Sequence, residues 1–333
     1  MHKTNLFSFI FTKFITNLVY IKFKFMASNP FREKVDDLTG DLSKYPDLST
    51  YRNGLNELAA MNLSGYTYEE IGRSFYERAI LFQQTFGMNA IEDFNKQRFY
   101  RARMNVGLNE DISLIKTFSY PPAYSCKENG RANLKGKSVF YCSNQPGTAI
   151  IESKPVPSCT GYLSMWEAHT IRDVKYGICL PENLCAENEF KFMADGIHKY
   201  IRQESAIAKD KAEHFQYFHK FVAERFVNEG EPYSLTSWIA NEMLYGPYWR
   251  DFIIYPSVAN DTTSCNWVFH PNSADALLKL IKVMEFKVSQ KREGSIFFSD
   301  VRIGELQNST IKWRDPKKGD VNEFMPEASM ILN

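Results

Sequence analysis

Tyr162-Leu-Ser-Met-Trp166, Tyr176-Gly-Ile-Cys-Leu180, Phe252-Ile-Ile-Tyr255 and Trp267-Val-Phe269 are short aromatic and β-branched runs bounded by turn residues. Between the second and third lies a stretch from about Glu187 to Leu244 that reads as two or three helices. In it Phe215, Phe218, Val222 and Phe226 mark one buried face. Upstream, Val139-Phe-Tyr-Cys142 is a further strand, and the run Phe99-Tyr-Arg-Ala-Arg-Met104 brings Arg101 and Arg103 to one side if extended. Strands, then helices, then strands is the order of an α+β fold rather than of alternating β-α-β units.

Working outward, residues 26–95 read as helical. Thr67-Tyr-Glu-Glu70 has the form of a capping box, Ile71, Phe75, Phe82 and Phe86 recur at helical spacing, and Gly87 offers a C-terminal stop. This segment has neither His nor Cys, so it is expected to pack against the main domain, with an oligomer interface as the alternative use of its stripe. Residues 1–25 are apolar and basic, broken by Lys13, Lys22 and Lys24, and are expected to be an extension ahead of a natural start at Met26. The main domain is taken as 96–290, and 291–333 as a mixed C-terminal extension.

Composition narrows the function. A net charge of +1 with interleaved signs supplies no basic footprint for nucleic acid or anionic membrane, and no run reaches the length of a bilayer span. Six scattered cysteines without C-x-x-C or Cys/His spacing favour reduced thiols in a cytoplasmic protein and give no metal site. There is no G-x-x-x-x-G-K-[ST] loop and no G-x-S-x-G elbow, and Gly130 to Gly136 precede a strand rather than join a strand to a helix. His214 and His219, five apart on a helix, point to different faces.

Three polar clusters interrupt the hydrophobic runs. They are Tyr100-Arg101 with Arg103; Gly130-Arg131-Ala132-Asn133, followed by Gly136, Tyr141 and Thr148-Ala-Ile-Ile-Glu152; and Tyr255-Pro-Ser257-Val258 with Asn266. Singly, each has a plain reading: a snorkelling arginine, a helix-end carboxylate, a turn serine. As an ordered set over about 190 residues they resemble the RES domain family, named for an Arg, a Glu and a Ser. Two departures stand out, Ala132 in place of an aromatic and Arg103 beside Arg101.

The resemblance implies an ADP-ribosyltransferase-like fold with a helical N-terminal extension and an enzyme that degrades NAD+ as substrate, with no cofactor required. It also implies an antitoxin as partner where a member acts as a toxin. Glu152, Arg101 and Ser257 are then the expected catalytic set, and Arg131, Tyr141, Asn133, Arg103, Tyr255 and Asn266 the expected nucleotide contacts. The residue types suit that chemistry independently. Cleaving the ribosyl–nicotinamide bond develops oxocarbenium character that a carboxylate stabilises. A guanidinium fork matches pyrophosphate oxygens, an aromatic ring offers a stacking face, and a serine hydroxyl can hold a carboxamide or ribose. The acceptor stays open: water or phosphate is ranked first, a protein side chain second, and a binding domain without turnover is the non-enzyme alternative.

Overall fold

A computed structural model describes residues 45–79, 86–89, 94–107, 109–203, 211–246, 249–292 and 295–325. The fold is α+β, with two five-stranded sheets packed face to face and helices on the outside. The first sheet runs β1 (Phe86–Asn89), β5 (Val174–Ile178), β6 (Phe252–Pro256), β7 (Cys265–Phe269), β3 (Phe140–Cys142), with only β5 and β6 parallel. The second runs β10 (Thr310–Arg314), β9 (Ser295–Gln307), β8 (Leu278–Arg292), β4 (Thr160–Ala168), β2 (Arg98–Met104), antiparallel throughout. The edges of the two sheets meet where Tyr100 and Ser143 exchange backbone hydrogen bonds of 2.7 and 2.9 Å.

Strand alternation sorts the side chains. Phe252 and Ile254 of β6 join Phe99, Phe140, Trp166, Trp267 and Phe269 in an aromatic core between the sheets. Ile253 and Tyr255 point the other way, to a core shared with α1 (Leu48–Ala60), α2 (Tyr68–Ala79), α5 (Ala212–Asn228) and α6 (Ser234–Tyr245). Among the described residues the stretch read as two or three helices holds three, with α4 (Lys191–Gln203) preceding α5. Phe218, Val222 and Phe226 are buried as expected, while Phe215 is half-buried.

The capping box forms: Glu70 N–H donates to Thr67 Oγ1 at 3.2 Å and Thr67 N–H to Glu70 Oε2 at 2.8 Å. Ile71 and Phe75 then pack with Phe218 and Trp238, each such side chain contributing roughly 1.5–3 kcal/mol, so the N-terminal helices lie on the main domain.

Two expectations change. Phe86 and Gly87 do not continue and stop a helix; they lie in β1, which pairs antiparallel with Tyr176 and Gly177 of β5, so the segment 26–95 is not helical throughout. Phe82 and residues 1–25 lie outside the described residues. The second change is at the C-terminus, where the boundary at 290 falls inside β8. That strand, β9 and β10 complete the second sheet, and Phe324 of α8 (Asp320–Phe324) is buried against it. Among the described residues no helix is long and apolar enough to cross a membrane.

Candidate functional site

The site is assembled by α3 (Pro146–Glu152) docking on the β6–β7 hairpin. Pro146 at the first helical turn suits a position whose N–H would go unpaired. Thr148 and Glu152 are four residues apart and share one helix face. Thr148 Oγ1 lies 2.6 Å from Ser264 Oγ, and Asn260 Nδ2 reaches both at 3.2 and 2.9 Å. One turn on, Glu152 Oε1 accepts from Ser257 Oγ at 2.6 Å and from Asn266 Nδ2 at 2.7 Å. Both donors are neutral and buried, so this oxygen is fixed by charge-assisted hydrogen bonds. Oε2 accepts no hydrogen bond from the described residues, which leaves one carboxylate oxygen for a ligand.

Around the carboxylate, Tyr255 and Asn266 are a cross-strand pair, and so are Tyr141 and Val268. All four therefore project from the helix-facing side of the first sheet. The Tyr255 ring packs 5.0 Å from Phe226 at the end of α5. Burial pushes its phenol well above the usual range; Tyr141 and Glu152 add to this, and Arg131 opposes it. Tyr141 Oη donates to Asn133 Oδ1 and accepts from Ala132 N–H, both at 2.9 Å. Gly130 must lack a side chain, since a Cβ there would fall 2.4 Å from Asn133 Oδ1 and 2.8 Å from Tyr141 Oη. The Gly-Arg-x-Asn block is thus a tight turn that pins the tyrosine. Ala132 in place of an aromatic is buried in the helix-side core.

Several expected roles are revised. Ser257 is fully buried with its hydroxyl committed to Glu152, so it positions the carboxylate rather than holding a carboxamide or ribose. Arg101 does not join the Glu152 cluster. It lies on the inter-sheet side of β3, over the Phe140 ring, donating to Ser119 O at 3.1 Å and Tyr141 O at 3.0 Å. Burial, reinforced by Arg103, pulls its guanidinium down to about 10, and Nη2 alone lacks a partner among the described residues. Arg103 is consumed by Glu110, at 2.9 and 3.0 Å, and by Thr117 O. Arg131 Nη1 closes the end of α5 through Phe226 O at 2.8 Å and Glu229 O at 2.9 Å, while its Nε and Nη2 stay unbonded among the described residues.

Sequence reasoning missed Tyr233, whose ring lies 4.7 Å from the Arg131 guanidinium carbon, and the Asn260–Ser264 anchor. The Asn and Ser between two strands were readable as a turn, but their reach to Thr148 was not. Two open depressions, of about 480 Å³ beside Thr50 and Arg78 and about 350 Å³ beside Glu285 and Arg302, contain none of these residues. Most of the residues that line them are polar or charged, unlike the largely apolar lining of most small-molecule sites. Comparisons of the chain with protein-family models, curated proteins and solved structures yield no match.

Proposed function

We propose that this protein cleaves the ribosyl–nicotinamide bond of NAD+ and passes the ADP-ribosyl group to water or phosphate, within an ADP-ribosyltransferase-like RES fold. The observation that carries the reading is the Glu152 carboxylate, held at one oxygen by Ser257 and Asn266 and unbonded at the other among the described residues. Leaving of neutral nicotinamide places positive charge on the ribose, and a carboxylate fixed beforehand stabilises that charge without reorganising. The same oxygen can accept the proton of the incoming nucleophile. Arg131, with Nε and Nη2 unbonded among the described residues, supplies fork geometry for a phosphate, and Arg101 braces the Tyr141 backbone from behind.

The test is incubation of the full chain with NAD+, with and without inorganic phosphate, and separation of nicotinamide, ADP-ribose and any phosphorylated product. Wild type is expected to release nicotinamide, and Glu152→Gln to do so at least about 100-fold more slowly. Equal rates for the two proteins would remove Glu152 from the chemistry, and no release by wild type would sink the proposal.

A further inference from the structure

Tyr233 enters α6 with φ 53° and ψ 38°, a left-handed conformation that bulky side chains seldom adopt. The next seven residues, Ser234 to Ala240, are buried, but Tyr233 is only half-buried, so core packing does not account for its conformation. The surrounding turn is instead over-determined. Glu229 accepts from Leu235 N–H at 2.8 Å and Thr236 N–H at 2.7 Å, capping α6. Arg131 ties the end of α5 to the Gly130 turn, and its guanidinium carbon lies over the Tyr233 ring, 4.7 Å from the centroid. Glu231 reaches Lys154, two residues beyond Glu152, at 3.7 Å. Strained residues held in this way gather at ligand sites.

The partners of the ring indicate its ligand. Tyr141, the ring first expected to stack, has its hydroxyl fixed on both sides and packs against the helix-side core. Tyr233 has a guanidinium on one face, which disfavours a second cation against the ring and suits a neutral, electron-rich base. The free Arg131 nitrogens adjoin the same ring, where the phosphate of a nucleotide would follow its base.

We propose that Tyr233, backed by Arg131, is the platform on which the adenine of a nucleotide stacks, leaving the cationic nicotinamide end for Glu152. This rests on the reading above for the ligand class, and does not rest on turnover. The experiment is calorimetric titration of the full chain with ADP-ribose and with nicotinamide mononucleotide, for wild type, Tyr233→Phe, Tyr233→Ala and Tyr233→Asn. Loss of the ring is expected to weaken ADP-ribose binding roughly tenfold or more, the scale of one base–aromatic stack, with nicotinamide mononucleotide unchanged and Tyr233→Phe close to wild type.

Asn tolerates the left-handed backbone, so Tyr233→Asn separates loss of the ring from collapse of the turn; its melting transition is expected at or above that of wild type. Tyr233→Asn binding ADP-ribose as tightly as wild type overturns the platform, as does a loss confined to nicotinamide mononucleotide. A wild type that binds ADP-ribose through Tyr233 yet releases no nicotinamide supports the platform and overturns the enzyme reading. A wild type that binds neither nucleotide overturns the platform, and nicotinamide release alone then decides the enzyme reading.

Discussion

Replacing Gly130 by Ala tests the turn that pins Tyr141, and its cost follows from distances. The added methyl would lie 2.4 Å from Asn133 Oδ1 and 2.8 Å from Tyr141 Oη, well inside van der Waals contact. Gly130 is not among the residues with positive φ, so space and not backbone strain makes glycine necessary. To admit the methyl, the Asn133 carboxamide must swing away, and the 2.9 Å bond from Tyr141 is lost. Overpacking contributes about 1–3 kcal/mol, the lost hydrogen bond about 1 kcal/mol, and the stiffer unfolded chain offsets about 0.4–1 kcal/mol. The net expectation is a destabilisation of about 2 kcal/mol in urea denaturation at unchanged m-value. In an Asn133→Ala background the nearest obstacle is gone, so the same change is expected to cost less than about 1 kcal/mol, a coupling of about 1 kcal/mol or more. Gly136→Ala is the contrast: its φ is +75° with nothing within 4 Å of an added Cβ, so its cost of about 1 kcal/mol is conformational and uncoupled from Asn133. A Gly130→Ala protein as stable as wild type, or one destabilised equally in both backgrounds, would refute the steric argument.

Two further outcomes concern stability. Burial, with His198 adding, pulls the His219 imidazole from 6.5 to about 3, so the unfolded chain takes up a proton that the folded chain excludes. This contribution is complete above about pH 6.5 and is lost toward about pH 3 at roughly 1.4 kcal/mol per pH unit; His219→Gln is expected to flatten the pH dependence of the urea midpoint between those limits, and parallel slopes would exclude His219. A chain beginning at Asn95 lacks α1, α2 and β1, which leaves Phe218 and Trp238 uncovered and the β5 edge bare. Light scattering is expected to show aggregates, and a monodisperse fragment with a native circular dichroism spectrum would show that the N-terminal helices are a separate module.

What the chain made legible, and what it hid, divides by the range of the interactions. Local signals were readable: the Thr67–Glu70 box, the face of α5, and the short runs that became β3 to β7. Phe86-Gly-Met-Asn89 was misread because glycine after an aromatic stops a helix as readily as it enters a short edge strand; only pairing with β5 decides. The C-terminal strands carried a signal that was passed over. Leu278-Lys-Leu280, Val301-Arg-Ile303 and Thr310-Ile-Lys-Trp313 alternate apolar with charged or polar residues, and Leu278, Leu280, Ile303 and Ile311 are buried in the sheet. The site divides in the same way. Glu152, Ser257 and Asn266 were identified as residues, but their hydrogen bonds span 105 and 114 positions, so Ser257 as a support for Glu152 could not be read along the chain.

The spacing Thr-Ala-x-x-Glu has a physical reason that involves no ligand. Positions i and i+4 of a helix lie one above the other, so Thr148 and Glu152 present two polar groups along one face of α3. The β6–β7 hairpin presents matching groups at its tip and at its base: Asn260 and Ser264 for the threonine, Ser257 and Asn266 for the glutamate. Ser257 N–H to Ser264 O at 2.9 Å closes the hairpin and keeps these pairs in step. The threonine latch fixes where the helix sits, and that placement aims the carboxylate. Thr148, Ser257 and Ser264, each no more than 4% exposed, are too deep to meet a ligand and act through Glu152. On the proposed reading, the groups left to face a ligand are Oε2 of Glu152, the edge of Arg131 that carries Nε and Nη2, and the ring of Tyr233. These come from the end of α3, the Gly130 turn and the α5–α6 turn, so a nucleotide bound among them would be gripped by segments the fold already holds through Glu229 and Arg131.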